Sequence, residues 1–379
     1  ARMIRACGAT LQHEAYGGPF DTIAGSALAD LPMVEFWTKG DANPSPAVIG
    51  AARAAGRRVV GAEAFTGAPA QSRWTETPAF LRPYADSAFA GGVNRLVLHH
   101  WVHQPFDDRY KPAFGMGWWG THFTRHQTWF EPGKEFFRYL GRVQALMQRG
   151  ESPADHVSVG AAVANGDAIP LSAFLTDVRV DNGQVVLPSG RRYRFVHVPH
   201  SGALLPETAA RIEQLLAQGA TVVAPKPNRS PSLAGYPGCD DQVRAIAARV
   251  WGDSPDTRRA VGKGTLFGKG DVNGARAELG IVEPVRVVQP PGRRVRILTR
   301  AEEGATWHFV ANLEDQPIRL AIASRVTGKL PELWDAETGT IRPAPIWRTA
   351  GAETEVDLAL EVRKSIIVMF RKPLSRGTD

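Results

Sequence analysis

The chain has 379 residues, 43% of them hydrophobic and 8% aromatic, the make-up of a folded protein of two or three domains and not of a disordered one. Its 45 Lys and Arg against 38 Asp and Glu leave a formal charge of +7, but the basic residues are dispersed with no block of about five or six, which argues against nucleic acid as a partner. Cys7 and Cys239 stand far apart with no CxxC, which excludes a zinc ribbon and a disulfide scaffold, and no apolar run is long enough for a membrane-spanning helix.

Residues 1–150 read as alternating strands and helices. RMIRACGATLQHEAYG reads as a strand running into a polar loop, and DTIAGSALADLP as a short helix. No signal-peptide apolar core is present at the start. PMVEFWTKG is a strand ending in Glu35. PSPAVIGAARAAG is an Ala-rich helix started by Ser45-Pro46 and stopped by Gly56. RRVVGAEAF is a strand carrying Glu63 to its end. TPAFLRPYADSAFAGG is a helix with Thr77 as N-cap and Pro78 at its first position. NRLVLHH is a strand that delivers His99 and His100. A long loop, 101–132, precedes the amphipathic helix KEFFRYLGRVQALMQRG.

These strands end in polar residues: Gln12, Glu14, Glu35, Glu63, His99 and His100. In a (β/α)8 TIM barrel the catalytic residues sit at the C-terminal strand ends, and a whole barrel takes roughly 250 residues. Residues 1–150 are therefore expected to be the C-terminal half of a TIM barrel, a partial barrel whose earlier half is absent.

Residues 151–285 form a second α/β pattern, flavodoxin-like in its alternation. DHVSVGAAV, RYRFVHVPH and TVVAP are strands. PETAARIEQLLAQG is a helix between Pro206 and Gly219, and DDQVRAIAARVWG a helix capped by Asp240. There is no GxGxxG and no Walker lysine, and GKGTLFGKGD reads as glycine turns around a short strand. Residues 286–379 alternate as all-β, from VRVVQ to KSIIVMFRK, and are expected to be a β-sandwich. The chain is thus a multidomain α/β protein.

The chemistry concentrates between Arg57 and Phe130, which holds half of the ten histidines and half of the ten tryptophans. Aromatic faces, neutral polar groups and a carboxylate are what a sugar site requires. Glu63, flanked by Val59, Val60, Ala62, Ala64 and Phe65, is a carboxylate that burial makes costly unless it is paired or functional. A salt bridge to a nearby arginine is the structural alternative. Glu35 and Glu63 together read either as a glycosidase pair or as one catalytic group and one that binds a sugar or a metal. His99 and His100 are expected on opposite sides of their strand. Trp118 and Trp119, after Gly115 and Gly117, read as an aromatic lid or subsite wall, and Glu14 as a further strand-end group. His122 and His126 have the spacing of a helical zinc pair but lack the HExxH glutamate. Asp21, Asp41, Asp107 and Asp108 read as loop acids without EF-hand spacing.

QHEAYGGPFD, PMVEFWTKGD, GAEAFTG, ADSAFAGGVNRLVLHHWVHQPF and GMGWWGTHFTRHQTWF together resemble the bacterial α-L-rhamnosidases of glycoside hydrolase family 106. The likeness continues through RRYRFVHVPHSGALLPETAARIEQLLAQGATVVAPKPNRSPSL, ATWHFVANLE and LPELWDAETGTI, and so spans nearly the whole chain. The resemblance implies inverting, calcium-assisted removal of terminal α-L-rhamnose from plant glycans or glycosides. It implies Glu63 as general base and Glu35 at the sugar or calcium site; Glu14, His99, His100, Trp118, Trp119 and His122 are expected to line the sugar site by their place at strand ends and in the aromatic loop. The family's general acid aligns upstream of residue 1. A periplasmic or secreted parent protein is implied too. Two alternatives remain: a β-galactosidase-like hydrolase, which also joins a barrel to a flavodoxin-like domain, and a non-catalytic carbohydrate-binding protein.

Overall fold

A computed structural model of the protein describes residues 1–40, 44–68, 73–117, 119–253, 257–289 and 294–374. In chain order the first segment holds α1 (Arg2–Ala6), β1 (Gln12–Glu14), α2 (Thr22–Leu28), β2 (Leu31–Trp37), α3 (Pro46–Ala54), β3 (Gly61–Thr66), α4 (Pro78–Gly91), β4 (Arg95–Leu98) and α5 (Lys134–Met147). The second holds β5 (His156–Val159), β6 (Gly166–Ile169), α6 (Leu171–Thr176), β7 (Arg179–Asp181), β8 (Gln184–Val186), β9 (Arg192–Tyr193), β10 (Phe195–His197), α7 (Pro206–Gln218), β11 (Thr221–Val223), α8 (Cys239–Trp251), β12 (Arg258–Val261), β13 (Gly264–Phe267) and α9 (Val272–Glu278). The third holds β14 (Val285–Gln289), β15 (Val295–Glu302), β16 (Ala305–Asn312), β17 (Ile318–Ser324), β18 (Lys329–Trp334), β19 (Ile341–Pro343), β20 (Trp347–Ala350), β21 (Glu353–Leu360) and β22 (Ser365–Pro373).

By internal contacts the chain divides into two compact units: 1–32, 46–57 and 154–282 in one, and 33–45, 58–153 and 283–379 in the other. In the first unit a six-stranded sheet runs in the order β12-β13-β11-β10-β5-β6. It is parallel apart from β12, which pairs antiparallel with β13 across the Gly262 turn. Its strands are short apolar runs covered by helices, as a parallel sheet requires. Val157, Val196, Val222 and Leu266 pack with Ile212 and Leu216 of α7 and Trp251 of α8. The Trp251 indole is satisfied, since Nε1 donates to Ala224 O at 2.8 Å. Here α3 is buried on most of its surface, and a side chain at Gly50 would meet the Ala168 backbone at 3.0 Å.

The structure departs from the sequence pattern at three places. Arg2–Ala6 is helical, not extended: Arg, Met and Ala are good helix formers, and Gly8 at φ +72 ends the turn. Asp240 does not cap α8. The helix starts one residue earlier, at Cys239, and the Asp240 carboxylate accepts from Ser230 N–H at 2.8 Å. Between 164 and 193, β6, α6 and the small β7–β8–β9 sheet were not anticipated. Elements of two to six residues are too short for a period to show.

The second unit contains β3 and β4 and all but the first two residues of β2, running parallel within a sheet of order β1-β2-β3-β4. As expected, α4 is capped by Thr77, whose hydroxyl accepts from Phe80 N–H at 3.2 Å, and is ended by Gly92 at φ +111. On α5 the buried Phe136, Tyr139, Leu140, Val143 and Met147 follow helical spacing. Its opposite duty is to β4, the edge strand. Gln144 Oε1 accepts from Leu96 N–H at 2.8 Å, and Gln148 donates to Asn94 O at 2.7 Å. Backbone groups that an edge would leave open are thereby used. Asn94, 1% exposed, makes three such bonds itself, accepting from Val60 N–H and donating to Arg58 O and Met147 O.

The same unit holds two antiparallel sheets, β14-β17-β21-β20 and β15-β16-β22-β18-β19. Val356, Leu358 and Leu360 of β21 alternate with less buried neighbours and share one core with Leu320, Val310, Leu333 and Phe370. A polar cluster links this part of the unit to α4 and α5. Tyr139 donates to the fully buried Asp86 and bonds the Ser365 hydroxyl at 2.8 Å. Arg82 stacks 4.2 Å over the Tyr139 ring and pairs with Glu337 at 2.6 Å, and Lys364 also pairs with Glu337.

Burial pushes the Asp86 carboxyl up to about 6, against the opposing pull of Arg82 and Tyr139. A raised carboxyl binds its proton more tightly in the folded state. Its contribution to stability is therefore complete below the ordinary value of 3.8 and is lost as pH rises through about 6. The unfolding free energy of the wild type minus that of Asp86→Asn should fall between pH 4 and pH 6, as read by urea titration at each pH. A difference that stays flat with pH would contradict the burial of a titrating Asp86.

Candidate active site

The site begins with strand register. β2 and β3 pair as Val34 with Ala62, Glu35 with Glu63, and Phe36 with Ala64. Parallel neighbours in register project to the same face. Val34, Phe36, Ala62 and Ala64 are buried on one side, and Glu35 and Glu63 stand together on the other, both half-buried. Glu63 also faces Val97 of β4. Neither carboxylate is at its strand's last residue, as the sequence suggested, because β2 runs on to Trp37 and β3 to Thr66.

Beyond the carboxylates the β2–β3 pairing slips. Phe36 pairs with Ala64 but Trp37 pairs with Thr66, leaving Phe65 as an extra residue. Phe65 is fully buried and has φ +68, a left-handed conformation that a bulky side chain seldom adopts and that costs about 1–3 kcal/mol. Its carbonyl accepts from the Thr121 hydroxyl at 3.1 Å, and the Thr66 carbonyl accepts from Thr38 N–H at 2.9 Å. The Thr66 hydroxyl donates to Glu63 Oε1 at 2.8 Å.

His99 and His100 follow directly after β4. Their rings lie 5.2 Å apart, so they share one side of the chain, contrary to expectation. Strand alternation stops with the strand, and β4 ends at Leu98. His99 Nδ1 is 3.8 Å from Glu63 Oε1. His100 is buried, and its Nε2 lies 2.8 Å from Trp119 O. The His122 ring lies 4.8 Å from that of His100 and stacks on Trp74 at 4.1 Å and 16°. Gly120, at φ +75, is where the returning loop crosses both histidines; a side chain there would come within 2.6 Å of each ring. Trp119 is 40% exposed and meets Trp37 edge-on at 5.9 Å.

Burial holds His100 below its ordinary 6.5 and pushes His122 down to about 4, with the neighbouring imidazoles acting in the same direction. Both rings are neutral at pH 7. The Nδ1 atoms of His99, His100 and His122 are buried with no hydrogen-bond partner among the described residues. Three buried ring nitrogens without a partner among the described residues lie together here, donors or acceptors that a bound polyhydroxylated molecule could use.

Of the sequence candidates, Glu35, Glu63, His99, His100, His122 and Trp119 all belong to the second unit, and the contacts above link Glu63 through the histidines to Trp119. Trp118 lies outside the described residues. Glu14 is on β1 in the first unit, where it accepts from Tyr16 OH at 3.1 Å. His122 and His126 do not form a helical pair. His122 lies in irregular backbone and His126 in a turn, where it is bonded to Pro112 O and Asp108. Asp21 is an N-cap, accepting from Ile23 and Ala24 N–H, and Asp41 lies outside the described residues. Sequence reading passed over Thr66 and Trp74 as site residues. The only signal for Thr66 was the Phe-Thr-Gly turn after Glu63.

Residues 11–347 match glycoside hydrolase family 106, described as alpha-L-rhamnosidase. This chain belongs to that family. The family 106 chain is 31% identical over 380 residues to a putative beta-glucuronidase from Formosa agariphila, covering 94% of this chain and 31% of that protein. A rhamnosidase from Novosphingobium sp. PP1Y superposes with a TM-score of 0.89 at 26% identity, over 99% of this chain and 38% of that one. A beta-galactosidase from Bacillus circulans sp. alkalophilus shares the fold at a TM-score of 0.54 and 13% identity, covering 95% of this chain and 63% of that one. The architecture is therefore mixed α/β with several sheets, of the kind found in glycoside hydrolases. The chain spans about a third of the length of the first two relatives.

The family resemblance implies calcium, but among the described residues no group of three or more His, Cys, Asp or Glu side chains is placed to hold a metal ion. The neutral state of His122 is directly testable. Its folded value is depressed, so its ring proton signals, followed by NMR, should stay those of neutral imidazole from pH 7 down to about 5 and move only towards about 4. A midpoint near 6.5 would mean that the ring is solvated.

Proposed function

We propose that the chain is part of a glycoside hydrolase that removes terminal α-L-rhamnose from plant glycans or glycosides with inversion, Glu63 being the general base. The carrying observation is Glu63 itself, half-buried and bonded by the Thr66 hydroxyl, with the His99 ring 3.8 Å away and, through that ring, His100, His122 and the exposed Trp119. In the reaction the Glu63 carboxylate takes a proton from water as the water oxygen bonds to the anomeric carbon. The glycosidic C–O bond breaks, and the leaving oxygen takes its proton from a general acid.

Strand spacing bears on the role of Glu35. Neighbouring strands lie roughly 4.8 Å apart. An inverting pair needs a gap of about 6.5–9.5 Å to admit water. Side by side, Glu35 and Glu63 stand nearer the spacing of about 5–5.5 Å of a retaining pair than that of an inverting one, so for an inverting enzyme they read as one base and one sugar-binding carboxylate. Trp119 offers an apolar face for the pyranose, and His99, His100 and His122 offer nitrogens for its hydroxyls; Trp118 and Glu14 stay proposed contacts by their place in the sequence. The same charges favour a neutral sugar. A uronate would bring a third negative charge beside two carboxylates and imidazoles that burial keeps uncharged.

The finer architecture is proposed too: a partial TIM barrel over 1–150, a flavodoxin-like domain over 151–285 and a β-sandwich over 286–379. In support, the sheet β1–β4, the six-stranded sheet and the two antiparallel sheets fall into those segments to within one residue. A periplasmic or secreted setting and calcium assistance rest on family resemblance.

Hydrolysis of aryl α-L-rhamnoside, β-galactoside and β-glucuronide by the full-length protein, with and without a chelator, tests the reading. The rhamnoside should be cleaved, with activity lost on chelation. Glu63→Gln should lower kcat about 10²–10⁴-fold with the fold intact by circular dichroism. Cleavage of the galactoside alone would give the β-galactosidase-like alternative, and sugar binding without turnover the carbohydrate-binding one.

A further inference from the structure

We infer that Thr66 is the positioning residue that aims Glu63 at the attacking water. The inference rests on the reading of Glu63 as base. Thr66 lies three positions after Glu63, and in an unbroken strand that spacing sends their side chains to opposite faces. The extra residue at Phe65 reverses this. Thr66 pairs with Trp37, two residues beyond Glu35, and so returns to the face that carries both carboxylates. The left-handed backbone of Phe65 thus has a geometric consequence: it turns the Thr66 hydroxyl back onto Glu63 Oε1, at 2.8 Å.

The arrangement is built in from several sides. Thr66 is 3% exposed. Its carbonyl is held by Thr38, the preceding carbonyl by Thr121 and the Gly67 carbonyl by Gly120 N–H at 2.9 Å. A carboxylate accepts only, so the hydroxyl must donate its proton to Oε1. His99 approaches the same oxygen. Among the described residues Oε2 has no hydrogen-bond or ion-pair partner. The geometry therefore divides the two oxygens: Oε1 is the anchored one, and Oε2 receives the water proton. Holding a reacting group in the productive orientation acts on the rate of the bound complex and leaves substrate affinity alone.

The experiment compares wild type, Thr66→Val, Thr66→Ala, Thr66→Ser, Glu63→Gln and the Glu63→Gln/Thr66→Val double variant of the full-length protein on an aryl α-L-rhamnoside, each checked for folding by thermal melting. Thr66→Val and Thr66→Ala should lower kcat by about tenfold or more, equal to about 1.4 kcal/mol, with KM changed less than about twofold. The two should agree, because they share the lost hydroxyl and differ in volume. Thr66→Ser should recover most of the rate. Thr66→Val should cost nothing further in the Glu63→Gln background, since there is no base left to aim. A kcat near wild type in Thr66→Val overturns the inference. So does a loss that follows side-chain volume, or one that adds in full to that of Glu63→Gln, because either marks a packing role. Full activity in Glu63→Gln would instead overturn the assignment of the base, and this inference with it.

Discussion

The site depends on the register between β2 and β3. That register sets Glu35 beside Glu63 and sends both to the face opposite Val34, Phe36, Ala62 and Ala64. Shifting β3 by one residue would exchange Glu63 for an alanine on the polar face and push a carboxylate into the apolar layer. The cost of burying that carboxylate unpaired is what makes the observed register the stable one. Small residues assist: Gly61 sits opposite Met33, and a side chain there would come within 2.6 Å of the Met33 side chain.

Two like charges side by side need surroundings that add no third. The cluster of His99, His100 and His122 is made of rings in contact with one another. Burial and mutual repulsion keep His100 and His122 uncharged. Neutral rings act as directional hydrogen-bonding groups and impose no ionic preference. The aromatic stack of Trp74 on His122 and the crossing of Gly120 over His99 and His100 limit how these rings can turn. A rigid polar surface whose ring nitrogens lack partners among the described residues suits recognition of hydroxyl groups.

Support for this surface comes from behind. The end of α5 supplies Gln144 and Gln148 to the exposed edge of β4, and Asn94 ties the starts of β3 and β4 to Met147. Farther along α5, Tyr139 joins Asp86 and Ser365, with Arg82, Glu337 and Lys364 closing the charge balance. The strand that delivers the histidines is thus fixed by side-chain hydrogen bonds where a fifth strand would otherwise pair.

Much of this is local chemistry and is legible in the sequence. Thr77-Pro78 starts a helix and Gly92 ends it, Pro206 and Gly219 bound another, and the alternation of TEVDLAL is a strand with one buried face. The gathering of His, Trp and carboxylate residues between Arg57 and Phe130 marks the site for the same reason, since such groups are costly together without a use. Tertiary structure decided the rest. Register, the bulge at Phe65 and the shared side of His99 and His100 depend on hydrogen bonds from Thr38, Thr121 and Gly120, which lie between 21 and 56 residues away in the chain. The helix at Arg2–Ala6 and the strands of β6 to β9 are too short to announce themselves by period. A period of two places a side chain only while its strand is unbroken, and at Phe65 and beyond Leu98 the strand breaks where the chemistry is assembled.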